Sequence, residues 1–246
     1  MPNNRYFIEF SYDGSSYHGF QKQLNAITVQ EIVENGISKI LRDKINIISA
    51  GRTDTGVHAT GQVAHFDLNT NMKVLSIKDA LNGNLPRDIK VMEIFEVNEN
   101  FHARFSAIKR HYKYRLRTDG FFLDRNFTWH TEPLELKILN KTAITLLGEN
   151  DFTSFSRNNE NLEHRRCIIY ESIWKAENQV LNYHIVANRF LHHMVRYLVG
   201  TMVEIARGKY KFDQFVDLIK TPKENVNIFK SPPQGLVLTK VDYEIN

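Results

Sequence analysis

Apolar side chains alternate along "RYFIEFSYDG", so Tyr6, Ile8, Phe10 and Tyr12 share one face of an expected strand that Asp13-Gly14 ends. The period then changes. In "TVQEIVENGISKIL", Val29, Ile32, Val33, Ile37, Ile40 and Leu41 form a helical stripe, and Thr28 with Glu31 matches a capping box. "INIISAG" is a short apolar strand that leads into a glycine-bracketed loop. "GQVAHFDL" resumes period two, "SIKDALNGNLP" is a short helix stopped by Pro86, and "DIKVMEIFEV" is a further strand.

The pattern resets near Phe105. "IKRHYKYRLRT" is a strand, "LELKILNKTAITLLG" a helix, and "RRCIIYESIWKAE" and "QVLNYHIVANRF" a pair of strands. "LHHMVRYLVGTMVEIARG" is a long helix with Leu191, Val195, Leu198, Val199, Met202, Ile205 and Ala206 inward. "KFDQFVDLIK" is a short helix before Pro222, and "SPPQGLVLTKVDYEI" a closing strand. Both halves mix strands and helices, so the expected fold is α+β with largely antiparallel sheets and packed helices. The reset puts the boundary between residues 1–105 and 106–246.

Composition changes this picture little. At 246 residues, 42% hydrophobic and 24% charged, the chain can build a substantial core. A formal net charge of +4 permits a polyanionic partner without demanding one. The single cysteine, Cys167, excludes an intramolecular disulfide and a multi-cysteine zinc site. No basic-then-apolar leader opens the chain and no apolar run is long enough for a membrane span, so a cytoplasmic protein is expected.

Candidate chemistry concentrates in "SAGRTDTGVHATGQVAHF". Arg52 and Asp54 sit two residues apart between Gly51, Gly56 and Gly61. A lone loop aspartate is usually a turn former. Held beside an arginine, a carboxylate stays ionised and can act as nucleophile, base or ligand. No Gly-Lys-Ser/Thr ends the loop, which argues against a triphosphate site. Asp54, His58, His65, Asp67, His192 and His193 could in principle hold a metal, but no His pair at i, i+4 supports one, so none is expected. The histidines read better as packed groups or polar contacts to a ligand.

Strand parity sorts "AIKRHYKYRLRT" into a basic face of Lys109, His111, Lys113, Arg115 and Arg117 and a face of Arg110, Tyr112, Tyr114 and Leu116. The first is either a solvated face or a phosphate track, and a tyrosine on the second could close on a base. Arg104 adds to the local positive charge. Arg196 lies among Met194, Val195, Tyr197 and Leu198. It either extends outward or points into a cleft to meet a carboxylate.

"GRTDTGVHATGQVAHF", "NLPRDI", "FHARFSAIKRHYKYRL", "LLGENDFTSF", "FLHHMVRYLVG" and "PPQGL", in this order, resemble the motifs of the tRNA pseudouridine synthase A family along the whole chain. The resemblance implies two α+β halves, each loosely ferredoxin-like, with a basic central cleft. It implies a homodimer that binds tRNA, no cofactor and no metal. The implied reaction converts uridine to pseudouridine in the anticodon stem-loop, at tRNA positions 38, 39 and 40. By position, Asp54 matches the catalytic aspartate, Arg52 the arginine beside it, Tyr112 the base-contacting tyrosine and Arg196 the arginine paired with the aspartate. Arg110, Lys109, His58 and Arg104 are the further expected substrate contacts. Thr55 stands where alanine is more usual, and His111 where arginine is often seen.

Overall fold

The structure is a computed structural model that describes residues 4–157 and 163–244. It divides into two compact units, one drawn from Met1–Ile108 with Val237–Asn246, the other from Lys109–Leu236. The pattern reset at Phe105 assigns the closing strand to the second half; here residues from Val237 onward return to the first unit.

In the first unit β1 (Asn4–Tyr12), α1 (Val29–Leu41), β2 (Ile48–Ser49), β3 (His58–Leu68), α2 (Val74–Asn84) and β4 (Ile89–Val97) follow one another. β1 pairs antiparallel with both β3 and β4, and β2 pairs antiparallel with β3. The strand order is therefore β4-β1-β3-β2, the ferredoxin-like βαββαβ arrangement. Tyr6, Ile8, Phe10 and Tyr12 are buried as the alternation requires. The Thr28 side chain caps α1 by accepting from the Glu31 amide, and Val29, Val33 and Ile37 form the buried stripe.

The opposite face of this sheet is also covered. Phe7 stacks on Phe95 at 4.5 Å and meets Phe101 and Tyr243. His65 accepts from the Ala103 amide, and burial pushes its imidazole down to about 4, so it is neutral at neutral pH. β3 is buried on both faces for this reason, not half-buried as simple alternation suggests. The expected strand "INIISAG" contracts to the two residues of β2. The amide of Ile47 donates to Glu34 Oε1 and that of Ile45 to Ser38 Oγ, so helix side chains take the bonds a longer ladder would use.

The second unit contains β5 (Ala107–Arg117, of which Lys109 onward belongs here), β6 (Trp129–His130), α3 (Leu136–Ala143), β7 (Gly148–Asp151), β8 (Arg166–Glu177), β9 (Val180–Ala187), α4 (Met194–Ala206) and α5 (Phe212–Lys220). Its strand order is β5-β9-β8-β7, with β6 parallel to the end of β5. β7, β8 and β9 form an antiparallel meander, so this unit keeps the α+β character. The helix expected over 134–148 ends at Ala143. Thr142 Oγ1 bonds back to the Ile138 carbonyl and Thr145 Oγ1 to that of Thr142, and the chain passes through a 3-10 turn into β7. α4 starts at Met194, because His193 takes a left-handed conformation at φ 64°. His192 and His193 therefore precede the helix. Cys167 is buried in β8, and burial pushes its thiol up to about 12, which suits a packed core residue.

The last strand, β10 (Leu236–Tyr243), pairs parallel with β3 at His58 and Ala59. Ile245, its expected last residue, lies outside the described residues. No helix among the described residues is long and apolar enough to cross a membrane.

Candidate active site

The loop from Ala50 to Val57 is held from several sides within the first unit. Its entrance is fixed by the Ala50 amide, which donates to the Val63 carbonyl at 2.8 Å. The Phe20 amide donates to the Thr53 carbonyl at 3.0 Å, and the Val57 amide closes a turn on the Asp54 carbonyl at 3.1 Å. Thr53 is buried and Asp54 half-buried, while Arg52 and Thr55 are exposed. Beneath the loop, Tyr12 Oη and Thr53 Oγ1 share a hydrogen bond of 2.8 Å. Gln62 Nε2 donates to the Gly51 carbonyl at 3.0 Å and faces Tyr12 Oη at 3.4 Å. Burial pushes the Tyr12 phenol up to about 12, so it works here as a neutral hydroxyl.

Two glycines from "SYDGSSYHGFQKQ" let a second segment press against this loop. A Cβ on Gly14 would sit 2.1 Å from the Val57 carbonyl oxygen. Gly19 has φ +86°, and a Cβ there would meet the Thr53 carbonyl oxygen at 3.0 Å. Gly14→Ala is expected to cost about 1–3 kcal/mol, because backbone must move to admit the methyl group. Thermal unfolding reads this as a lower Tm, at about 2–4 °C per kcal/mol for a chain of this size. A Tm equal to that of the parent protein would contradict the close approach.

His58 is buried, and its Nδ1 accepts from the Gly14 amide at 3.0 Å. The amide is a fixed donor, so Nδ1 carries no proton in this arrangement. The Asp13 carboxylate 3.1 Å from Nδ1 is instead held by Ser15, whose amide and hydroxyl both donate to it. Tyr17 extends the same packing, donating to Asp88 of "NLPRDI" at 2.7 Å. Arg104 is exposed, with its guanidinium 5.7 Å from the ring centroid of Phe105.

In the second unit, Tyr112 is half-buried on β5 and packs edge-on against Phe190 with centroids 5.1 Å apart. Arg110 Nη1 donates to the Asn188 carbonyl at 2.6 Å. On the other face, Lys109 lies 4.9 Å from the centroid of Tyr170. Further along, Lys113 approaches Glu177, Arg115 approaches Asp124, and Arg117 is paired with Asp119 and Asp124. The face that reads as uniformly basic therefore carries its own acids toward the Arg117 end, which the spacing along one strand cannot reveal.

Arg196 is buried in the first turn of α4. Its Nε donates to the Ser231 carbonyl at 2.9 Å, and the Ser231 amide donates back to the Arg196 carbonyl at 3.0 Å. The following Pro232 carbonyl accepts from Tyr114 Oη at 2.7 Å. "SPPQGL" thus fixes the guanidinium through its Nε. Arg52, Asp54, His58 and Arg104 belong to the first unit, and Lys109, Arg110, Tyr112 and Arg196 to the second.

Sequence reading treated Tyr12 as a core aromatic and gave Thr53 and Gln62 no role. One signal was available. A tyrosine at the end of an otherwise Phe/Ile face must find a partner for its hydroxyl once buried.

A family model described as tRNA pseudouridine synthase matches residues 9–106 and 142–244. A tRNA pseudouridine synthase A from Thermoanaerobacter sp. (strain X514) is 39% identical over 239 residues, covering 96% of this chain and 98% of that one. That of Bacteroides fragilis is 38% identical over 246 residues, covering 99% and 98%. That of Ehrlichia chaffeensis is 37% identical over 244 residues, covering 97% and 100%.

Proposed function

We propose a catalytic assignment from one premise: the chain belongs to the tRNA pseudouridine synthase family. It is an isomerase that converts uridine to pseudouridine in tRNA. The observation that supports the residue assignment best is the loop carrying Asp54, half-buried and tied down on both sides of that residue. A carboxylate so held has a fixed direction, which a reaction with a detached base requires.

The reaction breaks the bond between N1 of uracil and C1′, turns the base, and joins C5 to C1′. The C5 proton leaves and N1 gains one, so composition is unchanged. The target atoms lie inside a helical stack, and the nucleotide must swing out to be reached. We assign Asp54 as the catalytic carboxylate, acting as nucleophile or base. Arg196 is its cationic partner, and Arg52 the arginine beside it in the catalytic set. Tyr112 packs against the extruded base, supported edge-on by Phe190. Lys109, Arg110 and Arg104 complete the substrate contacts, whereas His58, expected among them, is buried and supports the loop from below by accepting from the Gly14 amide. We also assign the anticodon stem-loop positions 38, 39 and 40 as targets, a homodimer as the working form and the cytoplasm as its compartment.

The phosphate track predicts steep salt dependence. tRNA affinity falls as ionic strength rises, and Lys109→Ala reduces the slope of log Kd against log salt by about one, with turnover of bound tRNA unchanged. Filter binding across a salt series checks this; a slope equal to that of the parent protein removes Lys109 from the track. The function as a whole is tested by mapping pseudouridine in tRNA from cells with and without this protein. Its loss at the anticodon stem-loop positions is expected, and an unchanged map contradicts the assignment.

A further inference from the structure

Tyr12, Thr53 and Gln62 form a buried polar group beneath the Asp54 loop, all three less than a tenth exposed. Their bonds have a direction. The Tyr12 hydroxyl reaches the side chain of Thr53, one residue before Asp54, and Gln62 Nε2 reaches the carbonyl of Gly51, three residues before it. Gln62 Oε1 accepts from the amide of Val63, next in its own strand, which leaves the carboxamide one orientation. Both bases of this group stand on central strands, Tyr12 at the end of β1 and Gln62 within β3. A rigid sheet is thereby coupled to two points of an otherwise irregular loop.

The packing alone does not require these groups. Tyr12 lies beside Phe10 and Phe20, with centroids 6.1 and 6.4 Å away, where a phenylalanine ring would fit as well. Burying a hydroxyl and a carboxamide has a desolvation cost that good hydrogen bonds roughly offset, so their net contribution to stability is small. What they add is geometry at the residues that precede Asp54.

We propose that Tyr12 and Gln62 are positioning residues for the isomerisation, acting through Thr53 and the Gly51 carbonyl to hold the Asp54 loop in its reactive orientation. The inference rests on Asp54 being the catalytic carboxylate. None of the three side chains needs to touch the substrate.

Single-turnover rate and tRNA Kd, measured with thermal unfolding on the same preparations, test it. Tyr12→Phe is expected to lower the rate about 10- to 100-fold, the scale of a small misplacement of a reacting group, with Kd unchanged. Thr53→Val should fall as Tyr12→Phe does, and Thr53→Ser, which keeps the hydroxyl, should restore the rate. Gln62→Met, similar in length but without the donor, should also lose rate. Should Gln62→Met fail to fold, the Tyr12 and Thr53 variants still decide. A Tyr12→Phe protein with the parent rate per folded molecule overturns the proposal, as does equal activity of Thr53→Val and Thr53→Ser. Asp54→Asn is run alongside. If Asp54→Asn is inactive and Tyr12→Phe is not, only the brace fails; if Asp54→Asn turns over normally, the catalytic reading fails and the brace with it.

Discussion

Asp54→Asn abolishes pseudouridine formation and leaves tRNA affinity close to that of the parent protein. The substitution keeps the size and hydrogen-bonding reach of the side chain, and the loop is held mainly through Gly51, Thr53 and backbone amides, so the fold should persist. What is lost is the negative charge and the lone pair that attacks or takes a proton. The size of the loss separates two roles. Removing a general base costs about 100- to 10,000-fold, whereas removing a nucleophile can cost about a millionfold. Rapid-quench measurement of pseudouridine under single-turnover conditions, with filter binding on the same samples, gives both quantities. A fall in rate matched by a fall in affinity would place Asp54 in binding instead.

Arg196→Lys lowers kcat about 100- to 1,000-fold, the usual cost of removing one preorganised donor at a reacting centre. Charge is retained, so the effect isolates geometry. The arginine uses Nε for the Ser231 carbonyl, and its planar guanidinium has two further nitrogens with which to donate. A lysine has a single nitrogen on a flexible stem and cannot do both. The double variant Asp54→Asn/Arg196→Lys should be no slower than Asp54→Asn alone, because groups that act as one unit are strongly non-additive. Full additivity of the two losses would show that the arginine serves something other than the carboxylate. Arg196→Lys at the parent kcat would remove it from the site altogether.

Much of this was legible from the chain because local rules and tertiary packing agree. The alternation of Tyr6 to Tyr12 and the Thr28–Glu31 cap appear where they were expected, whereas α4 has no single inward stripe: it starts after Leu191 and is buried on nearly every side from Met194 to Ile205. Failures have identifiable causes. "INIISAG" looks like a strand because strands and buried coil both need isoleucines; the helix side chains that capture its amides are invisible in the local pattern. β6 and β7 are too short to show any period. His192 and His193 read as helical because apolar residues follow them, while the left-handed turn at His193 depends on surroundings. Of the candidate residues, Asp54 stood out through its flanking glycines. The group that carries its loop did not, since Tyr12 and Gln62 come from different strands and meet only in the folded chain. The acids opposite Lys113, Arg115 and Arg117 were hidden for the same reason.

The central claim is that one carboxylate, Asp54, drives the transfer of uracil from N1 to C5 attachment. It is tested most directly with a tRNA transcript carrying tritium at uridine C5, since that hydrogen leaves only when C5 becomes bonded to the sugar. The parent protein should release tritium in step with pseudouridine formation, and a folded, tRNA-bound Asp54→Asn protein should release none above background. Release by the Asp54→Asn protein at the parent rate would contradict the claim.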